Sequence, residues 1–327
     1  MKINIKQIFQ DLSDYEFENL ALKIFEFQAV NNDVYKNFLN HLKIIPASVK
    51  TIEDIPFIPI EFFKSHLVVS TESPYDLIFK SSGTTGTKRS EHYVKYKQIY
   101  EKSFFVTFNK FFGNINEYVI LALLPSYIEQ GNSSLVYMIQ KLIEATQSHH
   151  SGFFLYEHQK LAEKLLYLDK RNKKILLFGV SYALLDFVKK YQFNLKNTII
   201  IETGGMKGRK KEMVREELHN ILKKSFGVDK IFSEYGMTEL LSQSYSKGDG
   251  IFHTPPWKKI MIRDTEDPFT YLKNGKIGGI NIIDLANIYS CSFIATQDMG
   301  KKINNETFTI EGRFDNSDIR GCNLLVV

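Results

Sequence analysis

Lys174-Ile175-Leu176-Leu177-Phe178-Gly179-Val180-Ser181-Tyr182-Ala183-Leu184-Leu185-Asp186-Phe187-Val188-Lys189-Lys190, followed by the apolar run Thr198-Ile199-Ile200-Ile201-Glu202, decides the fold. Lys174 to Phe178 reads as a strand with no polar face, Tyr182 to Lys190 has helical spacing, and 198–202 is strand again. A strand apolar on both sides belongs in a parallel sheet covered by helices on both faces. Working outward, Tyr118 to Leu124 is another such strand, ended by Pro125, and Ser133 to Glu144 is its helix. Downstream, Lys210 to Phe226 reads as a helix and Lys230-Ile231-Phe232-Ser233 as a fourth strand. The first seventy residues read as mostly helical, with apolar residues at 17, 20, 21, 24 and 25 spaced for one helix face. Pro46, Pro56 and Pro59 interrupt that pattern. After Gly248, short strands such as Lys259 to Arg263 and Gly279 to Ile283 suggest a small antiparallel or barrel-like subdomain.

Composition narrows the function class. Of 327 residues, 43% are hydrophobic and 24% charged, which is enough apolar material for a full core. The net charge of +5 is modest, and its densest basic run, Lys207 to Lys211, reads as a solvated loop and helix start. A nucleic-acid partner is therefore not expected. Apolar runs fall short of the ~18–20 residues that span a bilayer. Asp11, Asp14 and Glu16 follow too soon after the N-terminus for a signal peptide, so a cytoplasmic protein without an integral membrane segment is expected. In that reducing setting, Cys291 and Cys322 are not expected to pair.

Two segments carry chemistry. Ser81-Ser82-Gly83-Thr84-Thr85-Gly86-Thr87-Lys88-Arg89 concentrates hydroxyls, glycines and cations, which suits a backbone cradle for an anion. Its glycines are too close together for a Walker loop. Ser233-Glu234-Tyr235-Gly236-Met237-Thr238-Glu239 follows a strand, at the end where open α/β sheets bind ligands. There Tyr235 suits stacking on a base, Thr238 a phosphate oxygen, and Glu239 a magnesium ion.

In this order along the chain, the two segments resemble those of the adenylate-forming superfamily, which includes acyl-CoA ligases, peptide-synthetase adenylation domains and firefly-type luciferases. The resemblance covers roughly residues 50 to 321. It implies ATP as nucleotide, Mg²⁺ at Glu239, and nucleotide contacts from Ser81, Ser82, Gly83, Thr84, Thr85, Gly86, Tyr235 and Gly236. Thr238, Glu239 and Lys88 would carry the catalysis. It further implies adenine at Gly204 and Gly205, ribose at Asp298, and ribose and phosphate at Arg313 within the hinge-like Gly312-Arg313-Phe314-Asp315. The implied fold is the N-terminal domain of an adenylate-forming enzyme, layered αβαβα with a small β-barrel-like subdomain. Its C-terminal lid is expected to be absent or reduced to a short tail, since the last lysine is Lys302. The expected domains are an adenylate-forming domain over 1–312 and a hinge remnant with a cysteine-bearing tail over 313–327. Within the first, residues 1–70 are mostly helical, 71–247 form an α/β core and 248–312 a small β-rich subdomain.

A narrower likeness rests on three stretches. They are Leu124-Pro125-Ser126-Tyr127 with Glu129 to Ser134, His253-Thr254-Pro255-Pro256-Trp257, and Gly312 to Cys322. They resemble the acyl-protein synthetases of bacterial bioluminescence, the LuxE type. That likeness implies activation of a fatty acid as acyl-AMP and transfer to a cysteine near the C-terminus, here Cys322. An acyl-accepting protein, such as a fatty-acid reductase or carrier protein, would receive it. The residues leave alternatives open. Cys322 also reads as a small core residue before Leu324 to Val327, CoA or a carrier thiol could be the acceptor, and a degenerate fold could serve as a non-catalytic scaffold. Leu177 to Ala183 nearly matches a hydrolase nucleophile elbow at Ser181, with His219 or His253 as the base. His253 to Trp257 reads equally as a rigid packed turn, and His149-His150 as a surface pair without further metal ligands.

Overall fold

The computed structural model describes residues 3–82, 88–125, 131–204 and 213–314. In chain order, the N-terminal elements are helices α1 (Ile5–Ile8), α2 (Asp14–Asn31) and α3 (Asp33–His41), strand β1 (Ile58–Pro59) and helix α4 (Phe62–Ser65). Next come β2 (Leu77–Lys80), β3 (Glu91–Val94), α5 (Lys97–Phe112), β4 (Tyr118–Leu123), α6 (Ser134–Thr146), β5 (Gly152–Phe153) and α7 (His158–Asp169). The middle continues with β6 (Lys174–Val180), α8 (Ser181–Val188), β7 (Thr198–Thr203), α9 (Arg215–Phe226) and β8 (Ile231–Tyr235). Strands β9 (Ser244–Ser246), β10 (Ile251–His253), β11 (Lys258–Arg263), β12 (Ile277–Asp284), β13 (Phe293–Lys302) and β14 (Thr307–Arg313) complete them.

These elements form two compact units. The first gathers the described residues within Met1–Asp76, His92–Lys95 and Thr254–Val327; the second gathers those within Leu77–Glu91 and Tyr96–His253.

The second unit holds the parallel sheet that the apolar runs anticipate. Its strands lie in the order β10-β9-β8-β7-β6-β4-β5. Strands β4 to β8 are mutually parallel, and β9 and β10 continue antiparallel. Every residue of β4 is buried, as is every residue of β6 after Lys174. The edge where β6, β7 and β8 end matters most. There Gly179 pairs with Glu202 and Glu202 with Ser233, while Val180 pairs with Thr203 and Thr203 with Glu234. Successive residues of a strand face opposite ways, so the row Gly179–Glu202–Ser233 faces α9 and the row Val180–Thr203–Glu234 faces α5.

The first unit pairs helices with an antiparallel sheet, β11-β12-β13-β14, flanked by β1 alongside β13. Ser13 starts α2 with a capping box: the Glu16 N–H donates to its hydroxyl, and its own N–H donates to the Glu16 carboxylate. Phe17, Leu20, Ala21, Ile24 and Phe25 form the buried face of α2, at the positions the helical spacing selects. Gln28 continues that face by bonding the Asn287 and Ile288 carbonyls, fixing α2 to the loop before β13.

Candidate active site

The second unit carries most of the candidate residues. Ser81 and Ser90 form the neck of the hydroxyl-rich loop: the Ser81 N–H donates to the Ser90 carbonyl (3.0 Å), and the Ser90 N–H to Ser81 Oγ (2.9 Å). Lys80 and Glu91 add an ion pair at 2.7 Å just below. Ser82, Lys88 and Arg89 are exposed, and Gly83, Thr84, Thr85 and Gly86 lie outside the described residues. Phe79 of β2 packs edge-on against Tyr100 of α5, with ring centroids 5.4 Å apart. Tyr100 in turn lies close to Glu234 and Gln243, and burial followed by the Glu234 charge pushes its phenol well above its ordinary range.

Tyr235 to Glu239 leave the carboxyl end of β8. Tyr235 is buried and meets the Phe252 ring edge-on at 5.9 Å. Gly236 is exposed, Met237 and Thr238 are half-buried, and Glu239 is 5% exposed. The Leu240 N–H closes the turn onto the Met237 carbonyl at 3.1 Å. Beneath it, Thr203 donates its hydroxyl to the buried Glu234 carboxylate at 2.5 Å. A methyl at Gly236 would stand 2.5 Å from Glu234 Oε1, so a larger residue there would push the Glu234 carboxylate aside. Gly204 follows β7 with a φ of +68°, a backbone state that glycine adopts without strain. Gly205 is outside the described residues.

On the other face of the same edge, Glu202 organises a buried network. It accepts from the Ser181 hydroxyl (3.0 Å), with His219 Nε2 at 3.6 Å and Arg215 Nε at 3.9 Å. Burial alone would raise its carboxyl, and the contacts with His219, Ser233 and Arg215 outweigh burial and hold it below the usual range. This arrangement does not support the hydrolase alternative. Ser181 is 2% exposed and gives its proton to a carboxylate, where a nucleophile would give it to histidine. The sequence reading missed the structural use of Arg215 and His219. Their i, i+4 spacing on α9, opposite a strand ending in glutamate, was the available signal.

In the first unit, Asp298 and Arg313 occupy facing positions of β13 and β14, with Arg313 Nε 3.0 Å from Asp298 Oδ1. Asp298 is buried and Arg313 exposed. A buried carboxylate beside an exposed guanidinium can accept from a diol and offer donors to a phosphate. Trp257 is fully buried against Phe9, which supports the packed-turn reading of the Pro255-Pro256 segment. In the second unit, His253 lies edge-on to Phe111. Cys291 is fully buried and its thiol is pushed up to about 12 by burial. Cys322 lies outside the described residues.

Among the described residues, no group of three or more His, Cys, Asp or Glu is gathered to hold a metal. Magnesium that travels with a nucleotide needs only one or two protein carboxylates, because phosphate oxygens and water complete its shell. The single buried carboxylate of Glu239 fits that role. No described helix is long and apolar enough to cross a membrane.

Comparison with solved structures identifies the fold. ATP-bound MatB from Rhodopseudomonas palustris matches with a TM-score of 0.54 and 19% identity, over 74% of this chain and 49% of MatB. The present chain thus spans about half the length of that enzyme. 2-Hydroxyisobutyryl-CoA ligase in complex with 2-HIB-AMP and CoA, in its open conformation, matches with a TM-score of 0.67 and 10% identity, over 93% of this chain and 75% of the ligase. Its thioesterification-state structure matches with the same TM-score and 12% identity, over 94% and 70%. Comparison with curated protein sequences gives no match. The fold is that of adenylate-forming enzymes, and the family described as "Acyl-protein synthetase, LuxE" matches residues 11–327, nearly the whole sequence. The chain belongs to the LuxE acyl-protein synthetase family.

Proposed function

We propose that this protein activates a carboxylic acid with ATP, forming acyl-AMP and pyrophosphate, and then passes the acyl group to a protein cysteine. The observation that carries this reading is the Tyr235–Glu239 segment. It leaves the carboxyl end of β8, the strand between β7 and β9, in a chain of the LuxE family. Ligands of open α/β sheets bind at that end of the strands.

In the proposed reaction, an acid oxygen attacks the α-phosphorus as its bond to the bridging oxygen breaks and pyrophosphate leaves. The 81–89 loop, with Lys88, offers N–H, hydroxyl and ammonium donors to the departing charge. The resemblance to adenylate-forming enzymes assigns Tyr235 and Gly204 to the base, Asp298 to the ribose, and Arg313 to ribose and phosphate. Thr238 bonds an α-phosphate oxygen. Glu239 would hold magnesium, which supplies charge neutralisation on the phosphates when bound. A cysteine thiolate then attacks the acyl carbon and AMP departs. Cys291 is unsuited to that step, being sealed and protonated, so Cys322 is the proposed acceptor before delivery to a partner protein.

A second reading concerns the acid. The buried side chains facing α5 at this sheet edge and just beyond it include Thr203, Glu234, Ser242 and Gln243. Thr203 and Glu234 bond each other and Ser242 bonds Ser103, so the buried Gln243 amide oxygen is the group of this row left to favour an acid bearing a hydroxyl or amino group over a plain alkyl chain.

The test is intact mass after incubation with ATP, Mg²⁺ and a ladder of plain and hydroxylated acids. We expect a gain of one acyl group that hydroxylamine removes and that Cys322→Ala abolishes. Glu239→Gln should lower pyrophosphate release by a factor on the order of 10²–10³ while leaving the melting temperature in place. Pyrophosphate without an adduct moves the acceptor to CoA or a carrier thiol. Absence of both with every acid sinks the reading in favour of a scaffold.

A further inference from the structure

Arg263, at the end of β11, does work for which the strand pattern gives no reason. Strand β13 departs from its register with β12 where Gly279 pairs with Met299 but Asn281 already pairs with Ala295. Thr296, Gln297 and Asp298 therefore bulge opposite the single residue Ile280, and the ladder between the two strands is interrupted. The Arg263 guanidinium fills the interruption. Its Nη1 donates to the Ile280 carbonyl (3.0 Å) and to Asn281 Oδ1 (2.6 Å), and its Nη2 donates to the Thr296 carbonyl (2.5 Å). The Thr296 hydroxyl adds a bond to the same Ile280 carbonyl (2.8 Å) and accepts from the Asp298 N–H (3.1 Å).

The fit is close. A Cβ on Gly279 would stand 2.5 Å from Arg263 Cζ, so the guanidinium lies directly on the glycine backbone. Beyond the bulge, the Phe314 N–H donates to the Gln297 carbonyl (2.8 Å), and the Phe314 ring lies 5.4 Å from the guanidinium carbon. One side chain thus contacts the backbone of both strands at the bulge and the residue that follows Arg313. Bulges re-aim side chains beside functional sites, at the cost of unpaired ladder groups. Here a planar fork of donors satisfies those groups, which an ammonium cannot do in the same geometry.

We propose that Arg263 is a positioning residue for the nucleotide, holding the 296–298 bulge so that Asp298 and Arg313 are set for ribose and phosphate; this rests on the nucleotide reading given above. Arg263 itself touches neither reactant. Loss of the fork lets Asp298 and Arg313 drift, which weakens ATP binding and leaves the acid site alone.

The experiment compares wild type with Arg263→Lys, which keeps the charge but loses the fork, and with Arg263→Ala. ATP binding is read by calorimetry, KM values for ATP and acid by pyrophosphate release, and folding by thermal melting. For Arg263→Lys we expect ATP affinity to fall and KM for ATP to rise, each on the order of tenfold, with KM for the acid unchanged. Millimolar guanidinium should restore part of the ATP affinity of Arg263→Ala. Wild-type ATP affinity in Arg263→Lys overturns the proposal. So does a lower melting temperature and turnover with both KM values unchanged, which marks a purely structural role. Failure of the wild type itself to bind ATP sinks the functional reading instead, and is distinguished by appearing before any substitution.

Discussion

At the scale of single residues, the sheet edge separates two buried carboxylates by facing them in opposite directions. Glu202 is held by Ser181, His219 and Arg215 on the α9 face, while Glu234 accepts from Thr203 on the α5 face. The Glu202 network makes a pH prediction with a definite sign. Its folded-state pKa is depressed below the ordinary 4.5, so its stabilisation is present above 4.5 and is lost as pH falls below that value through the lower folded one. Glu202→Gln should therefore destabilise the protein by about 1–3 kcal/mol at pH 7. It should also flatten the decline of stability on the acid side. Urea unfolding of both proteins across pH 3 to 7 measures this, and parallel curves would remove Glu202 from the account.

At the scale of elements, the parallel strands and α2 were legible because their apolar spacing is unambiguous. Strands 118–124, 174–178, 198–202 and 230–233 are observed within a residue or two at each end. Helix α5 was not legible. Lys97 to Phe112 is crowded with aromatic and β-branched residues of middling helix propensity. It is helical because Tyr100, Phe104 and Phe108 all bury on one face. The strand ends of the candidate site could be read from sequence, but Arg263 could not, since the register shift that gives it a role lies in how β12 pairs with β13, and the apolar spacing of neither strand marks it. Where α9 ends, Gly227 has a φ of +66°, and a Cβ there would lie 2.6 Å from the Asn194 backbone. Gly227→Ala should cost about 1–3 kcal/mol through that strain and clash. Chemical denaturation tests it, and a change below about 0.5 kcal/mol, the range of ordinary surface substitutions, would show that the loop yields freely.

At the scale of the whole molecule, the two units draw on the chain unequally. The second takes most of its residues from the single run Tyr96–His253, whereas the first needs both the early helices and the strands after Thr254. Strand β1 pairs with Ile294 and Ala295, and Gln28 bonds the carbonyls of Asn287 and Ile288. A chain shortened to end at Asp284 lacks those partners. Limited proteolysis of that truncation should digest the 1–76 region quickly and spare 96–253, and equal protection of both would contradict this division. During synthesis the same connectivity imposes a schedule. The parallel sheet can close once residue 253 has left the ribosome, while the helices that precede it must wait, apolar faces uncovered, for strands that follow it. A stretch translated ahead of the parallel sheet is thus finished after it, and it is the stretch most in need of chaperone cover in the interval.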